Sequence, residues 1–414
     1  AEGTTRANFE TWLCLMNPNE TAANVQVIYM LGDGTTKHFE TTITKTSRMT
    51  LYVADVVGLE KDVSMRVTSD LPIVAERPIY FNYGGVWTGG HNVIGAIAPA
   101  QDWYFAEGNT RDGFEEWICL QNPGAKAANV EITYMLQGGQ NKVQELEVPA
   151  TSRRTVSVKE FLGPNVDCSA RVHADQGVIA ERPMYFIYQP DVLNWTGGHN
   201  VVGANAPGRE WYFAEGTTRD GFDEWLCLQN PGESQATVTI AYMLETGETP
   251  TQVVAVEPHS RKTLDVVSFI GRGRDVSMRV TSTEPIVAER PMYFDYVGLT
   301  GGHNVIGATR SAGNWFFAEG ATQKGFQEYM SIQNPGGREA VVEITFMLGT
   351  GELVEKSVTV KPHSRATVDV NSAVGWGKDV SARATTQGRV IIERPMYFDN
   401  HGWTGGHNVV GFHY

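Results

Sequence analysis

One polar stretch occurs four times in this chain, and any fold must accommodate four equivalent copies of it. Glu76-Arg77-Pro78 opens a strand-like run that leads into Thr88-Gly89-Gly90-His91-Asn92. The same pair of motifs returns from Glu181-Arg182 to His199, from Glu289-Arg290 to His303, and from Glu393-Arg394 to His407. Ala-Glu-Gly recurs in step at Ala1, Ala106, Ala214 and Ala318, with spacings of 105, 108 and 104 residues. Solenoid units are shorter, roughly 20–50 residues, so each repeat is expected to be a whole domain. A chain of 414 residues is also too long for one core. The expected division is 1–98, 99–206, 207–310 and 311–414.

No long stripe of apolar residues with a 3.6-residue period is present. Short runs rich in Val, Ile, Thr and Tyr alternate instead with Gly, Pro and Asn, which is the all-β pattern of a sandwich or barrel. Val130, Ile132, Tyr134 and Leu136 alternate with Glu131, Thr133 and Met135 as a half-buried strand does. Seven or so strands per repeat suit an immunoglobulin-like β-sandwich, with a small barrel as the alternative. Leu13 and Leu15 have apolar counterparts in every repeat and should face the core. Cys14 lies on the other face, where Cys119, Cys227 and Ser331 stand in the later repeats.

Links of seven residues, Ala96–Asp102, Ala204–Glu210 and Ala308–Asn314, leave little slack, so four tandem domains are expected to form a semi-rigid rod. The first copy lacks the Trp-Tyr-Phe that precedes Ala-Glu-Gly at Trp103-Tyr104-Phe105. Either domain one is short of that aromatic strand, or the strand belongs to the preceding domain and Phe412-His413-Tyr414 takes its place in the last. In a head-to-tail assembly, this aromatic end could add to an open edge of domain one in a neighbouring molecule.

Neighbouring residues on a strand point to opposite faces, so Glu76 cannot pair with Arg77, nor Glu181 with Arg182, Glu289 with Arg290 or Glu393 with Arg394. Half-buried charges need partners. The Ser-Arg arginines Arg48, Arg153, Arg261 and Arg365 are candidates to meet the glutamates, and Asp62, Asp167, Asp275 and Asp379 to meet the arginines. Such ion pairs would pin loops to the sandwich. In the Gly-Gly-His loop, His91, His199, His303 and His407 are weak candidates for ligand binding. Each is expected instead to bond neighbouring backbone, because one His per domain is a poor metal signal. Trp87, Trp195 and Trp403 flank the loop and could stack on a sugar, although Leu299 replaces them in the third copy. No catalytic set, metal site or cofactor motif stands out, and an enzyme is not expected.

The net charge of −14 argues against a nucleic-acid partner. No apolar run is long enough to span a bilayer, so no membrane insertion is expected. A chain beginning at Ala1 without Met fits a processed secreted protein or a fragment of a longer one. Four cysteines, three of them one per repeat and Cys168 extra, should remain free thiols.

The succession Phe213-Ala214-Glu215-Gly216, Trp225-Leu226-Cys227-Leu228-Gln229-Asn230-Pro231, Ser260-Arg261, Ala288 to Phe294 and Gly301-Gly302-His303 resembles tandem β-sandwich repeats of secreted and surface proteins of bacteria, especially actinobacteria and their relatives. The resemblance covers the whole chain and implies an extracellular or cell-surface location, with no established chemistry. Repeat four departs from it at Tyr329-Met330-Ser331 and Ile392. The function expected is non-catalytic, structural or adhesive, with the chain itself as partner in a filament. The rival expectation is a multivalent carbohydrate-binding protein that meets cell-surface glycans through one weak site per repeat.

Overall fold

The computed structural model describes residues 1–189 and 191–413. It is all-β, with repeated sandwich-like domains. In the first repeat the strands are β1 (Phe9–Asn17), β2 (Ala23–Leu31), β3 (Thr36–Ile43), β4 (Ser47–Tyr52), β5 (Val63–Ser69), β6 (Val74–Tyr83) and β7 (Trp87–Ile94), and the single-turn helix α1 (Val53–Val57) joins β4 to β5. They form two antiparallel sheets, in the orders β4-β1-β6-β7 and β3-β2-β5. Period-two alternation sends Leu13 and Leu15 of β1 and Val25, Val27, Tyr29 and Leu31 of β2 into the core between them. The inward face expected for Leu13 and Leu15 is therefore observed.

Repeats two to four differ in one respect. The counterparts of β5 and β6 fuse into single strands of 21 residues, Cys168–Tyr188, Val276–Tyr296 and Val380–Asn400. Each runs through both sheets of its repeat. An extra aromatic strand lies against the first half of each: β8 (Ala100–Phe105), Gly208–Phe213 and Ala312–Phe317. Its tryptophan is fully buried and donates to a carbonyl at the bend of the long strand, as Trp103 does to Val178 at 2.9 Å. The strand thus belongs to the repeat that follows it in sequence, and the link regions are partly strand.

Phe412-His413 does not stand in for that strand. His413 pairs with Trp315 and Phe412 with Phe316, within the last repeat. This corrects the expectation of a free aromatic end, because one backbone edge of these residues is already paired within the last repeat; Tyr414 lies outside the described residues.

The four repeats do not form a rod. The strands Trp87–Ile94, Trp195–Val202, Leu299–Ile306 and Trp403–Val410 meet at the centre, each against the next. A methyl group placed on Gly89 would lie 3.2 Å from the Cα of Gly197; one on Gly197 would lie 3.1 Å from Gly301, and one on Gly301 3.1 Å from Gly405. One placed on Gly405 would lie 2.9 Å from Gly89. That fourth contact closes a ring. Phenylalanine rings follow the same cycle: Phe81 covers Gly198, Phe186 covers Gly302, Phe294 covers Gly406 and Phe398 covers Gly90. The links limit how far neighbours can separate, but the angle between them is set by glycine faces that let backbones touch.

Candidate functional site: a buried charge ring between repeats

The Glu-Arg pair sits on β6 and its three counterparts, and strand geometry decides what it does. Because adjacent side chains leave opposite faces, Glu76 is delivered to repeat four and Arg77 to repeat two. Arg77 lies 2.8 Å from Glu181, Arg182 3.1 Å from Glu289, Arg290 3.0 Å from Glu393, and Arg394 3.1 Å from Glu76. Each arginine also meets the Ala-Glu-Gly glutamate of its own repeat: Glu2, Glu107, Glu215 and Glu319. The ion pairs therefore join repeat to repeat, whereas the sequence suggested pairs pinning loops within one repeat.

Every glutamate of the cycle is well supplied with donors. Glu76 accepts from the Asn92 amide at 2.5 Å and from the backbone N–H of Ala318 at 2.7 Å. Glu289 and Glu393 accept likewise from Asn304 and Ala106, and from Asn408 and Ala214. Glu181 accepts from Asn200 at 2.8 Å and from the Ala1 amine. Burial opposes the Glu181 charge, but Arg77 and the Ala1 ammonium outweigh it and hold the carboxyl well below its usual range. Burial also disfavours the Arg182 and Arg394 cations. Carboxylates on both sides nevertheless keep them firmly protonated. Paired charges of this kind are tolerated in an interior, whereas a lone one is not; the Nε of Arg77, Arg182, Arg290 and Arg394 nevertheless has no hydrogen-bond partner among the described residues.

The Ser-Arg arginines do not meet these glutamates. Arg48 approaches Asp379 at 3.6 Å, Arg153 approaches Asp62 at 3.8 Å and Arg261 approaches Asp167 at 3.8 Å, again across repeats. Arg365 instead donates to the carbonyls of Gly216 and Val276. Cys14, Cys119 and Cys227 lie buried in these seams as free thiols, and burial raises them to about 12, 11 and 12. Cys168 is free and buried as well.

The four histidines are buried; His91 Nε2 lies 3.3 Å from the Glu2 carboxylate, whose pKa it helps to lower, and the ring nitrogens of His199, His303 and His407 have no hydrogen-bond partner among the described residues. This corrects the expected bond to neighbouring backbone; the rings pack on Phe81, Phe186, Phe294 and Phe398 at 5.8 Å. Among the described residues no group of His, Cys, Asp or Glu is arranged to hold a metal ion. Trp195 is buried, while Trp87 and Trp403 are half-buried. Trp87 stacks on Tyr83 and Trp195 on Tyr188.

Three glutamates went unnoticed as site residues in the sequence. Glu116, Glu224 and Glu328 are buried on the strands equivalent to β1, where repeat one has Thr11. Neither oxygen of Glu224 has a hydrogen-bond partner among the described residues. Burial pushes Glu116 and Glu328 up to about 8 against the pull of Arg182 and Arg394 and raises Glu224 well above the usual carboxyl range, so in all three it favours the protonated form. Polar identity on a strand gave no sign of that burial.

One seam is unlike the rest. Tyr83 packs on Tyr185 at 4.8 Å, Tyr188 on Tyr293 at 4.0 Å and Tyr296 on Tyr397 at 4.4 Å. Asn400 takes the corresponding place opposite Tyr80, and a cleft of about 550 Å³ lined by Trp12, Tyr80, Phe326 and Asn400 opens there.

Residues 90–181 and 305–391 match a family described as a family of unknown function, DUF5719. No curated protein matches. Among solved structures, Thermotoga maritima 1070 is 17% identical over 26% of this chain and 94% of its own, with a TM-score of 0.24. The Anabaena sensory rhodopsin transducer is 21% identical over 21% of this chain and 99% of its own, at 0.19. A tetra-tandem repeat from the extending region of a large adhesion protein is 12% identical over 95% of this chain and 92% of its own, at 0.13. The two family matches are consistent with tandem β-rich repeats.

Proposed function

We propose that this chain is a non-catalytic structural or adhesive module of a secreted or cell-surface bacterial protein, a closed ring whose polar motifs assemble the ring. The observation that carries the reading is the cycle of four buried Arg–Glu pairs. The charged residues of the repeated Glu-Arg motif are used up between repeats. Their arrangement also accounts for four near-identical copies of a polar motif without requiring four active sites. Buried thiols with raised pKa values suit an oxidising exterior, since the reactive thiolate is suppressed. No helix among the described residues is long and apolar enough to cross a membrane.

A head-to-tail filament through Phe412-His413 is not part of this reading, because those residues are paired within their own repeat. The glycan alternative draws no support from the histidines, which are buried, or from Trp195. The test is negative-stain microscopy over a concentration series together with a glycan array. Isolated compact particles without glycan binding are expected. Filaments at high concentration, or saturable binding of about four glycans per chain, would overturn the reading.

A further inference from the structure

The seam between repeats four and one lacks a side chain that the other seams share. Asn400 faces Trp403 in the register in which Tyr188 faces Trp195. It therefore holds the position from which Tyr83, Tyr188 and Tyr296 each reach across to the next repeat. What such a tyrosine does is clearest at Tyr188. Its ring stacks on Tyr293 at 4.0 Å, with an angle of 4° between the planes. Its hydroxyl donates to the Asp223 carboxylate at 3.2 Å and accepts from the Trp225 indole N–H at 3.2 Å. The hydroxyl of Tyr296 is held in the same way, by Gln327 at 2.8 Å and Tyr329 at 2.9 Å.

The groups that would receive this tyrosine are all present at the fourth seam. Glu10 stands opposite Tyr80 as Asp223 stands opposite Tyr293, and Trp12 follows Glu10 as Trp225 follows Asp223. With Phe326 and Asn400 they line the cleft of about 550 Å³. Tyr80 meets Phe326 and Phe398 edge-on, and among the described residues no ring is stacked on its face.

We propose that this cleft binds one small free phenol, seated where the other seams hold a tyrosine ring. The ring stacks on Tyr80; the hydroxyl donates to the Glu10 carboxylate and accepts from the Trp12 indole N–H. A carboxylate accepts several hydrogen bonds, so the Asn400 amide, 3.2 Å from Glu10, does not exhaust it. Stacking supplies affinity beyond the buried area, and the two hydroxyl bonds select against a plain hydrocarbon ring. A free molecule fits better than the tyrosine of a partner protein. The backbone place from which a tyrosine would reach in is already held by Asn400, paired with Trp403.

The probe is p-cresol, the tyrosine side chain as a free molecule, titrated into the full chain by calorimetry and by the indole N–H resonance of Trp12. That resonance is identified by its absence from Trp12→Phe. One p-cresol should bind per chain and shift the resonance, and toluene should bind roughly tenfold or more weakly. Trp12→Phe keeps an aromatic ring without the donor, so it should weaken p-cresol and leave toluene unchanged. Asn400→Tyr supplies the ring covalently and should abolish p-cresol binding, with a cooperative melt to show that the variant is folded. No saturable binding, equal affinity for toluene, or undiminished p-cresol binding by Asn400→Tyr overturns the proposal. So does binding of acetyl-Ala-Tyr-Ala-amide without binding of p-cresol, since the cleft would then belong to a partner's tyrosine.

Discussion

The guanidinium of Arg394 lies 3.1 Å from the carboxylate of Glu76, a residue 318 positions earlier in the chain. The other three Arg–Glu contacts join repeats that are also joined by a link. This one has no such help, so it reports whether the ring closes by surface complementarity alone. Both side chains are fully buried, and Arg394 also pairs with Glu319, 2.6 Å away, whose carboxyl burial nevertheless raises to about 7.

Arg394→Met should therefore be costly, because it leaves Glu76 and Glu319 together in an interior without a cation. Breaking a buried pair from one side typically costs roughly 3–5 kcal/mol. Glu76→Gln in the same chain should return part of that loss. Small-angle scattering supplies the geometric check: a compact chain of this length has a radius of gyration of about 22 Å. The native protein should match that value and Arg394→Met should exceed it. An unchanged melting temperature and radius would show that the pair does not hold the ring shut.

The glycines at the axis give a second expectation. A Cβ at Gly405 would sit 2.8 Å from the Phe398 ring and 2.9 Å from the Gly89 backbone, so neither neighbour can give way cheaply. Gly405→Ala should destabilise by about 1–3 kcal/mol, the usual range for overpacking. Gly32→Ala is the control, since its Cβ would meet nothing nearer than 3.9 Å. Chemical denaturation of the two variants separates them; equal midpoints would mean that the central strands are not closely apposed.

The sheets could be read in the sequence because period-two alternation is local: Leu13, Leu15, Val25 and Val27 face inward as their spacing requires. Ring closure could not. Seven-residue links are compatible with many angles, and the angle depends on how Gly89 and its counterparts let backbones approach. The pairing of Arg77 was hidden for a related reason. Adjacency excluded Glu76, but three identical glutamates remained, and sequence does not rank them by distance. Glu116, Glu224 and Glu328 were hidden because a lone Glu on a strand normally faces water.

The fourth seam invites a substitution towards the other three. Asn400 stands where tyrosines stack across the remaining seams, and it donates to Glu10 at 3.2 Å. Asn400→Tyr should place a ring against Tyr80 and fill part of the adjoining cleft. A well-placed aromatic pair contributes about 0.5–1.5 kcal/mol beyond its buried area. The expected outcome is a higher melting temperature for the variant. A lower one would show that the cleft is too narrow for the ring or that the Asn400–Glu10 bond matters more.

The buried glutamates set the pH response. Glu116 and Glu328 hold their protons in the folded state up to about 8, whereas an unburied Glu releases its proton near 4.5. The native state therefore binds more protons than the unfolded chain across that interval. Stability from these groups is fully present below 4.5 and is lost as pH rises through about 8. The histidines act in the opposite direction: burial lowers His199, His303 and His407 well below 6.5, so their contribution is present above 6.5 and disappears as pH falls through the folded values. Replacing Glu116, Glu224 and Glu328 together with Gln reduces the first effect, to which Glu319, raised by burial to about 7, and the raised Glu289 and Glu393 still contribute, and leaves the second. Melting temperature should then fall less steeply between about pH 6 and about pH 9 in the triple variant than in the native chain. Repeat one already carries the uncharged Thr11 at this position. An equal slope in both proteins would mean that the three carboxyls ionise at their ordinary pKa, and that the interior around them admits water.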